Sequence, residues 1–79
     1  MATVTVRYFA ALRERRGVDQ ESVEVPQGWT LKQLYLHLFP PGPEGSLTVA
    51  YARNHVLAKP EDAVEEGDEI AFLPPIGGG

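Results

Sequence analysis

The residues of this chain whose types and spacing could do chemistry are Pro74-Pro75-Ile76-Gly77-Gly78-Gly79. Each proline fixes φ at about −65° and offers no ladder N–H, so the pair makes an extended stalk. The three glycines then remove every side chain, and backbone without Cβ atoms can enter a slot too narrow for any other residue. Fully extended, the segment reaches about 20 Å at about 3.3 Å per residue. The reactive group it would carry at its tip is the α-carboxylate of Gly79. A frayed terminus or a cloning remnant is the blander reading. A Pro-Pro stalk joined directly to a strand pattern and ending flush in glycine argues against it.

Other chemistry is harder to assemble. There are no cysteines, so there is neither a disulfide framework nor a thiolate nucleophile. His37 falls off the apolar stripe of its helix and reads as solvent-exposed. His55 sits at a turn tip, with no partner for a catalytic triad. The acids Glu61, Asp62, Glu65, Glu66, Asp68 and Glu69 read as a solvated face; they lack the spacing of a calcium loop, and no metal site is expected. A net charge of −4 argues against nucleic acid, which calls for clustered Lys and Arg. Arg13, Arg15 and Arg16 do cluster, at a helix end where they complement the dipole.

Seventy-nine residues make one domain. A chain this short buries only about 60 % of its unfolded surface, so stability is expected to be modest. No apolar run reaches the roughly 18 residues of a spanning helix, and the first residues show neither a basic region nor an apolar core of a signal peptide. A membrane partner is therefore not expected, and a cytoplasmic location is.

The elements that must position the tail follow in order. Residues 3–9 alternate and are β-branched, which predicts a strand with Val4, Val6 and Tyr8 on its core face. Phe9 then falls on the outer face. Either it forms part of an exposed apolar patch or it tucks under the next helix. Residues 10–16 are good helix formers followed by Gly17, a C-terminal signal. Residues 21–25 read as a second strand, with Val23 and Val25 on one face. Thr30 and Gln33 have the spacing of a capping box, and Trp29 and Leu34 that of a hydrophobic staple. Leu31, Leu34, Tyr35 and Leu38 form the apolar stripe of the main helix, which stops before Pro40-Pro41. Residues 47–52 read as a strand, Arg53-Asn54-His55 as a tight turn with Asn54 in a left-handed conformation, and 56–58 as a short returning strand. Residues 60–63 read as a single helical turn, 65–68 as a turn, and 69–73 as the last strand, with Ile70 and Phe72 inward.

One amphipathic helix must cover one face of a mixed sheet of about five strands. Placing the first and last strands parallel at its centre satisfies the burial. That is an α+β arrangement, a β-grasp, with residues 1–73 as the domain and 74–79 as an extended functional tail. With those two strands adjacent, Phe9 and Leu73 emerge on the same side, near the end from which the tail departs. An exposed apolar patch rimmed by polar residues marks a partner site.

Val6-Arg7-Tyr8-Phe9-Ala10-Ala11-Leu12-Arg13-Glu14, then Gly67-Asp68-Glu69-Ile70-Ala71-Phe72-Leu73-Pro74-Pro75, then the di-glycine end, resemble the small, sulfur-carrying subunit of molybdopterin synthase, the MoaD family. The resemblance covers nearly the whole chain. A Gly-Gly end alone is shared with thiamine-pathway sulfur carriers and ubiquitin-like modifiers, which remain the alternatives; the Pro-Pro before it favours the molybdopterin branch. The resemblance implies a ubiquitin-like fold and a sulfur carrier of molybdenum cofactor biosynthesis that is not an enzyme on its own. It implies that an adenylating activating enzyme uses ATP on Gly79, that the acyl-adenylate becomes a thiocarboxylate, and that the tail inserts into the large synthase subunit within a heterotetramer. No cofactor would be bound by this chain. Gly79 would carry the sulfur, Gly78, Gly77, Ile76, Pro75 and Pro74 would enter with it, and Phe9 and Leu73 would face the large subunit. Arg53 departs from the Asn common in the family before the hairpin turn.

Overall fold

The computed structural model describes residues 1–42 and 48–74. Its elements are β1 (Ala2–Tyr8), α1 (Ala10–Arg16), β2 (Gln20–Val25), α2 (Leu31–Leu38), β3 (Ala50–Arg53), β4 (Val56–Ala58) and β5 (Glu69–Leu73). The sheet order is β2-β1-β5-β3-β4. β1 and β5 run parallel at its centre, and every other pairing is antiparallel. This is the expected β-grasp.

Alternation decides which face of β1 is core. Ala2, Val4, Val6 and Tyr8 are buried, while Thr3, Thr5 and Arg7 point to the other side. From β5, Ile70 and Phe72 join the buried set. Leu31, Leu34, Tyr35 and Leu38 of α2 pack onto it. Phe72 joins an aromatic cluster, with ring centroids 5.1 Å from Tyr35, 5.8 Å from Tyr51 and 6.5 Å from Phe39.

The start of α2 leaves none of its first amides unpaired. The Thr30 N–H donates to the Gln33 side chain at 2.8 Å, and the Gln33 N–H donates to Thr30 Oγ1 at 3.1 Å, which is the expected capping box. The two N–H groups between them belong to Leu31 and Lys32 and donate to the carbonyls of Asp62 and Pro60, both at 3.0 Å. Here the structure corrects the helical turn expected over residues 60–63. Those carbonyls serve α2 rather than a helix of their own segment, and the segment is a turn closed by the Asp62 N–H on the Lys59 carbonyl at 3.0 Å.

Two more expectations change. The strand expected over residues 47–52 pairs only from Ala50, which stands opposite Leu73. Leu47 lies outside the described residues; for Thr48 and Val49 the ladder has run out, because β5 ends at Leu73 and Pro74 carries no N–H to continue it. Asp68 is not part of a solvated face. It is 6 % exposed and accepts hydrogen bonds from Arg53 Nε at 2.7 Å, Asn54 Nδ2 at 3.1 Å and the Glu65 N–H at 2.8 Å. Burial pushes its carboxyl up, but the Glu65 amide, the Arg53 guanidinium and the Asn54 amide outweigh that and hold it below the usual carboxylate range.

Candidate functional site

The candidate site is the sheet face that α2 does not cover, together with the root of the tail. The register lays out its rows. Arg7 stands opposite Gln20 on one side and Ala71 on the other, Ala71 opposite Ala52, and Ala52 opposite Leu57. One row further toward the tail, Leu73 stands opposite Ala50. Tyr8 and Phe72 are partners across the parallel pairing, so the residues that follow them, Phe9 and Leu73, stand side by side at the end of the sheet.

The turn from β1 into α1 settles the two readings of Phe9. Ala10 has φ +50°, and this left-handed residue starts α1 immediately after Phe9, which is still extended at φ −133° and ψ 151°. Leu12, not Phe9, is the α1 side chain that fills the core. Phe9 stays 38 % exposed, with the Arg7 guanidinium 5.6 Å from its ring centroid. Leu57 at the far edge of the face is 75 % exposed. Leu57 and the row joining it to Arg7 were not among the residues marked from the sequence. Period-2 alternation through the 56–58 strand could have placed Leu57, but the row needs the register of every pairing.

The tail-side end of the sheet is braced from behind. The Tyr8 hydroxyl donates to Glu21 Oε2 at 2.5 Å, and Arg16 Nε donates to the same oxygen at 2.9 Å. Arg16 also reaches the Leu38 carbonyl at the end of α2, at 3.4 Å. Burial, then the bond to Glu21, pushes the Tyr8 phenol up; the Tyr8 hydroxyl and then Arg16 hold Glu21 below its ordinary value. Arg15 lies over Phe39 at 5.2 Å from the ring centroid. Two of the three clustered arginines thus complete the end of α2.

Leu73 is half-buried and Pro74 is buried, so the described part of the tail begins seated against the domain. Pro75, Ile76, Gly77, Gly78 and Gly79 lie outside the described residues. His37 is exposed, stacked edge-on near Trp29 with centroids 5.3 Å apart, and His55 is exposed 3.5 Å from Glu69. Among the described residues no cluster of three or more His, Asp or Glu is placed to hold a metal ion, and no helix is long and apolar enough to cross a membrane.

Sheet order, the single covering helix and the open face define a ubiquitin-like β-grasp protein. The chain belongs to the ThiS family, whose family model matches residues 6–79. It is 36 % identical over 81 residues to the molybdopterin synthase sulfur carrier subunit of Haemophilus influenzae, covering 96 % of this chain and 99 % of that one. It is 32 % identical over 81 residues to the subunit of the same name from Chlamydomonas reinhardtii, with 96 % and 98 % covered. Among solved structures, small archaeal modifier protein 1 of Haloferax volcanii superposes with a TM-score of 0.80 at 26 % identity, over 96 % of this chain and 100 % of that one. A complex of subunits 1 and 2 of the molybdopterin-converting factor from Helicobacter pylori contains a chain that matches with a TM-score of 0.63 at 28 % identity, over 98 % and 99 % of the two chains.

Proposed function

We propose that this protein is a sulfur carrier of molybdenum cofactor biosynthesis, the small subunit of a molybdopterin synthase, working in the cytoplasm. The observation that carries the reading is the family match itself, which runs from β1 through residue 79, with relatives of that name aligned along nearly their whole length. The complex of subunits 1 and 2 supports a large subunit as partner, and the open face with Phe9 and Leu73 at the tail root supports where it would sit.

The chemistry follows from the tail. A carboxylate is a poor electrophile because its charge is delocalised and its oxygens leave badly. An activating enzyme would join Gly79 to AMP from ATP, with loss of pyrophosphate, and a sulfur donor would then displace AMP to leave a thiocarboxylate. The domain supplies delivery rather than acid–base groups. Docking the platform turns a bimolecular encounter of sulfur and pterin precursor into a local one. Ordering three glycines costs on the order of 1–2 kcal/mol each, and apolar burial around Phe9 and Leu73, at about 25 cal/mol per Å2, offsets it.

The test is intact mass after incubation with the activating enzyme, ATP and a sulfur donor. A gain equal to the mass difference between sulfur and oxygen, located at Gly79, is expected. Deletion of Gly79 should leave the fold intact and abolish sulfur transfer; normal transfer by the truncated protein sinks the proposal.

A second reading, a ubiquitin-like protein modifier, is favoured by the similarity to small archaeal modifier protein 1. It predicts isopeptide-linked adducts of this chain in cell extracts.

A further inference from the structure

The open face is not uniformly apolar. Arg7 stands in its row with Ala71, Ala52 and Leu57, next to the row that holds Leu73. Its guanidinium lies against the Phe9 ring, 5.6 Å from the centroid, and its Nη1 is 3.5 Å from Glu69 Oε2. That same oxygen is 3.5 Å from His55 Nε2. Among the described residues the Arg7 side chain makes no hydrogen bond. A guanidinium has five N–H donors in a rigid fork, and this one is engaged by a single long ion pair shared with another base. Its side chain is 45 % exposed, so water satisfies the rest while the face is open.

A partner that covers Phe9 and Leu73 removes that water. A purely apolar cover would leave donors of a charged group unpaired, which costs more than the apolar contact beside it returns. We propose that Arg7 selects the partner: the surface that covers Phe9 and Leu73 presents a carboxylate to the Arg7 guanidinium, and this pair discriminates between candidate partners. The Phe9 ring beside the guanidinium restricts the fork before docking, which lowers the ordering cost at the encounter. Glu69 cannot substitute for the partner's carboxylate, since it meets one nitrogen at 3.5 Å and leaves the rest of the fork unmatched. The inference rests on the docking-face reading above and adds the charge that the partner must carry.

The experiment measures binding of the full chain to the large synthase subunit of the same organism, by calorimetry, over about 50 to 500 mM salt, where screening lengths shrink to a few ångströms. Wild type is compared with Arg7→Leu, Arg7→Lys and Phe9→Lys. Arg7→Leu is expected to weaken binding about ten- to a hundredfold at low salt and to flatten the salt dependence. Arg7→Lys should keep the salt dependence while losing part of the affinity, because an ammonium lacks the fork. Thermal midpoints of both Arg7 variants should stay at the wild-type value. Unchanged or tighter binding by Arg7→Leu with an unaltered salt slope overturns the proposal and means that the covering surface is apolar there. Unchanged binding by Phe9→Lys removes the docking face itself, and this inference with it.

Discussion

Phe9 and Leu73 stand side by side because Tyr8 and Phe72, one residue earlier on each strand, are partners in the parallel pairing of β1 and β5. The two members of each strand divide the work. Tyr8 and Phe72 are buried and carry the core, whereas Phe9 is 38 % exposed and Leu73 half-buried. Burial and exposure are therefore separated by one residue on each side of the pairing, at the end where the tail begins.

That separation predicts the behaviour of Phe9→Lys. The side chain fills no core position, so stability should change by no more than about 0.5 kcal/mol. Binding to a large subunit should fall by about 2 kcal/mol or more, as for an aromatic anchor at an interface centre. Thermal melting and calorimetry read the two effects independently. A large drop in melting temperature with binding intact would mean that Phe9 works as a core residue.

Asp68 predicts an acid-limb signature. Its carboxyl titrates below the ordinary value of 3.8 in the folded state. A group with a depressed folded pKa contributes stability that is fully present above its unfolded value, and that is lost as the pH falls through the folded one. The stability gap between wild type and Asp68→Asn should thus be constant at neutral pH, narrow below about 3.8 and close at lower pH. At neutral pH the gap should be about 2 kcal/mol, since the substitution removes the charge from the bond to Arg53 and, with its oxygen kept on Arg53 and the Glu65 amide, turns an NH2 toward the Asn54 Nδ2 donor. Denaturant titrations at stepped pH measure it. A gap that persists undiminished to the acid limit would show that Asp68 acts through packing and not through its charge.

Elements whose cause is local were legible in the sequence. The alternation of β1 and β5, the Thr30–Gln33 box, Gly17 in a left-handed conformation after α1, and Asn54 in the hairpin turn each depend on residues a few positions apart. The parallel centre of the sheet was also within reach, because one helix can cover only one face. What escaped depends on partners far away in the chain. Asp68 looks like its acidic neighbours until the β3–β5 pairing brings Arg53 and Asn54, 15 and 14 residues distant, onto its carboxylate. Residues 60–63 have helix-compatible composition, but α2 captures their carbonyls. Alternation puts Arg7 on the outer face but gives it no role, since its proximity to Phe9, Glu69 and His55 needs the register of β1 against β5 and the hairpin beyond it.

Ala10 offers a test of how the Phe9 position is held. A non-glycine residue at φ +50° costs about 1–2 kcal/mol in side-chain crowding. Glycine has no Cβ to crowd, but loses more chain entropy on folding, by about 0.5–1 kcal/mol relative to alanine. The difference leaves Ala10→Gly neutral or stabilising by up to about 1.5 kcal/mol. At the next position, Ala11, in the same helix and exposed, φ is not positive, and the same substitution should cost about 0.5–1 kcal/mol. Urea melts of the two variants side by side separate the cases, because helix propensity alone predicts equal losses. Opposite or clearly unequal effects support a left-handed turn that swings Phe9 out of the core and onto the open face. Equal losses would place Ala10 in ordinary helical geometry, and the exposure of Phe9 would then need another cause.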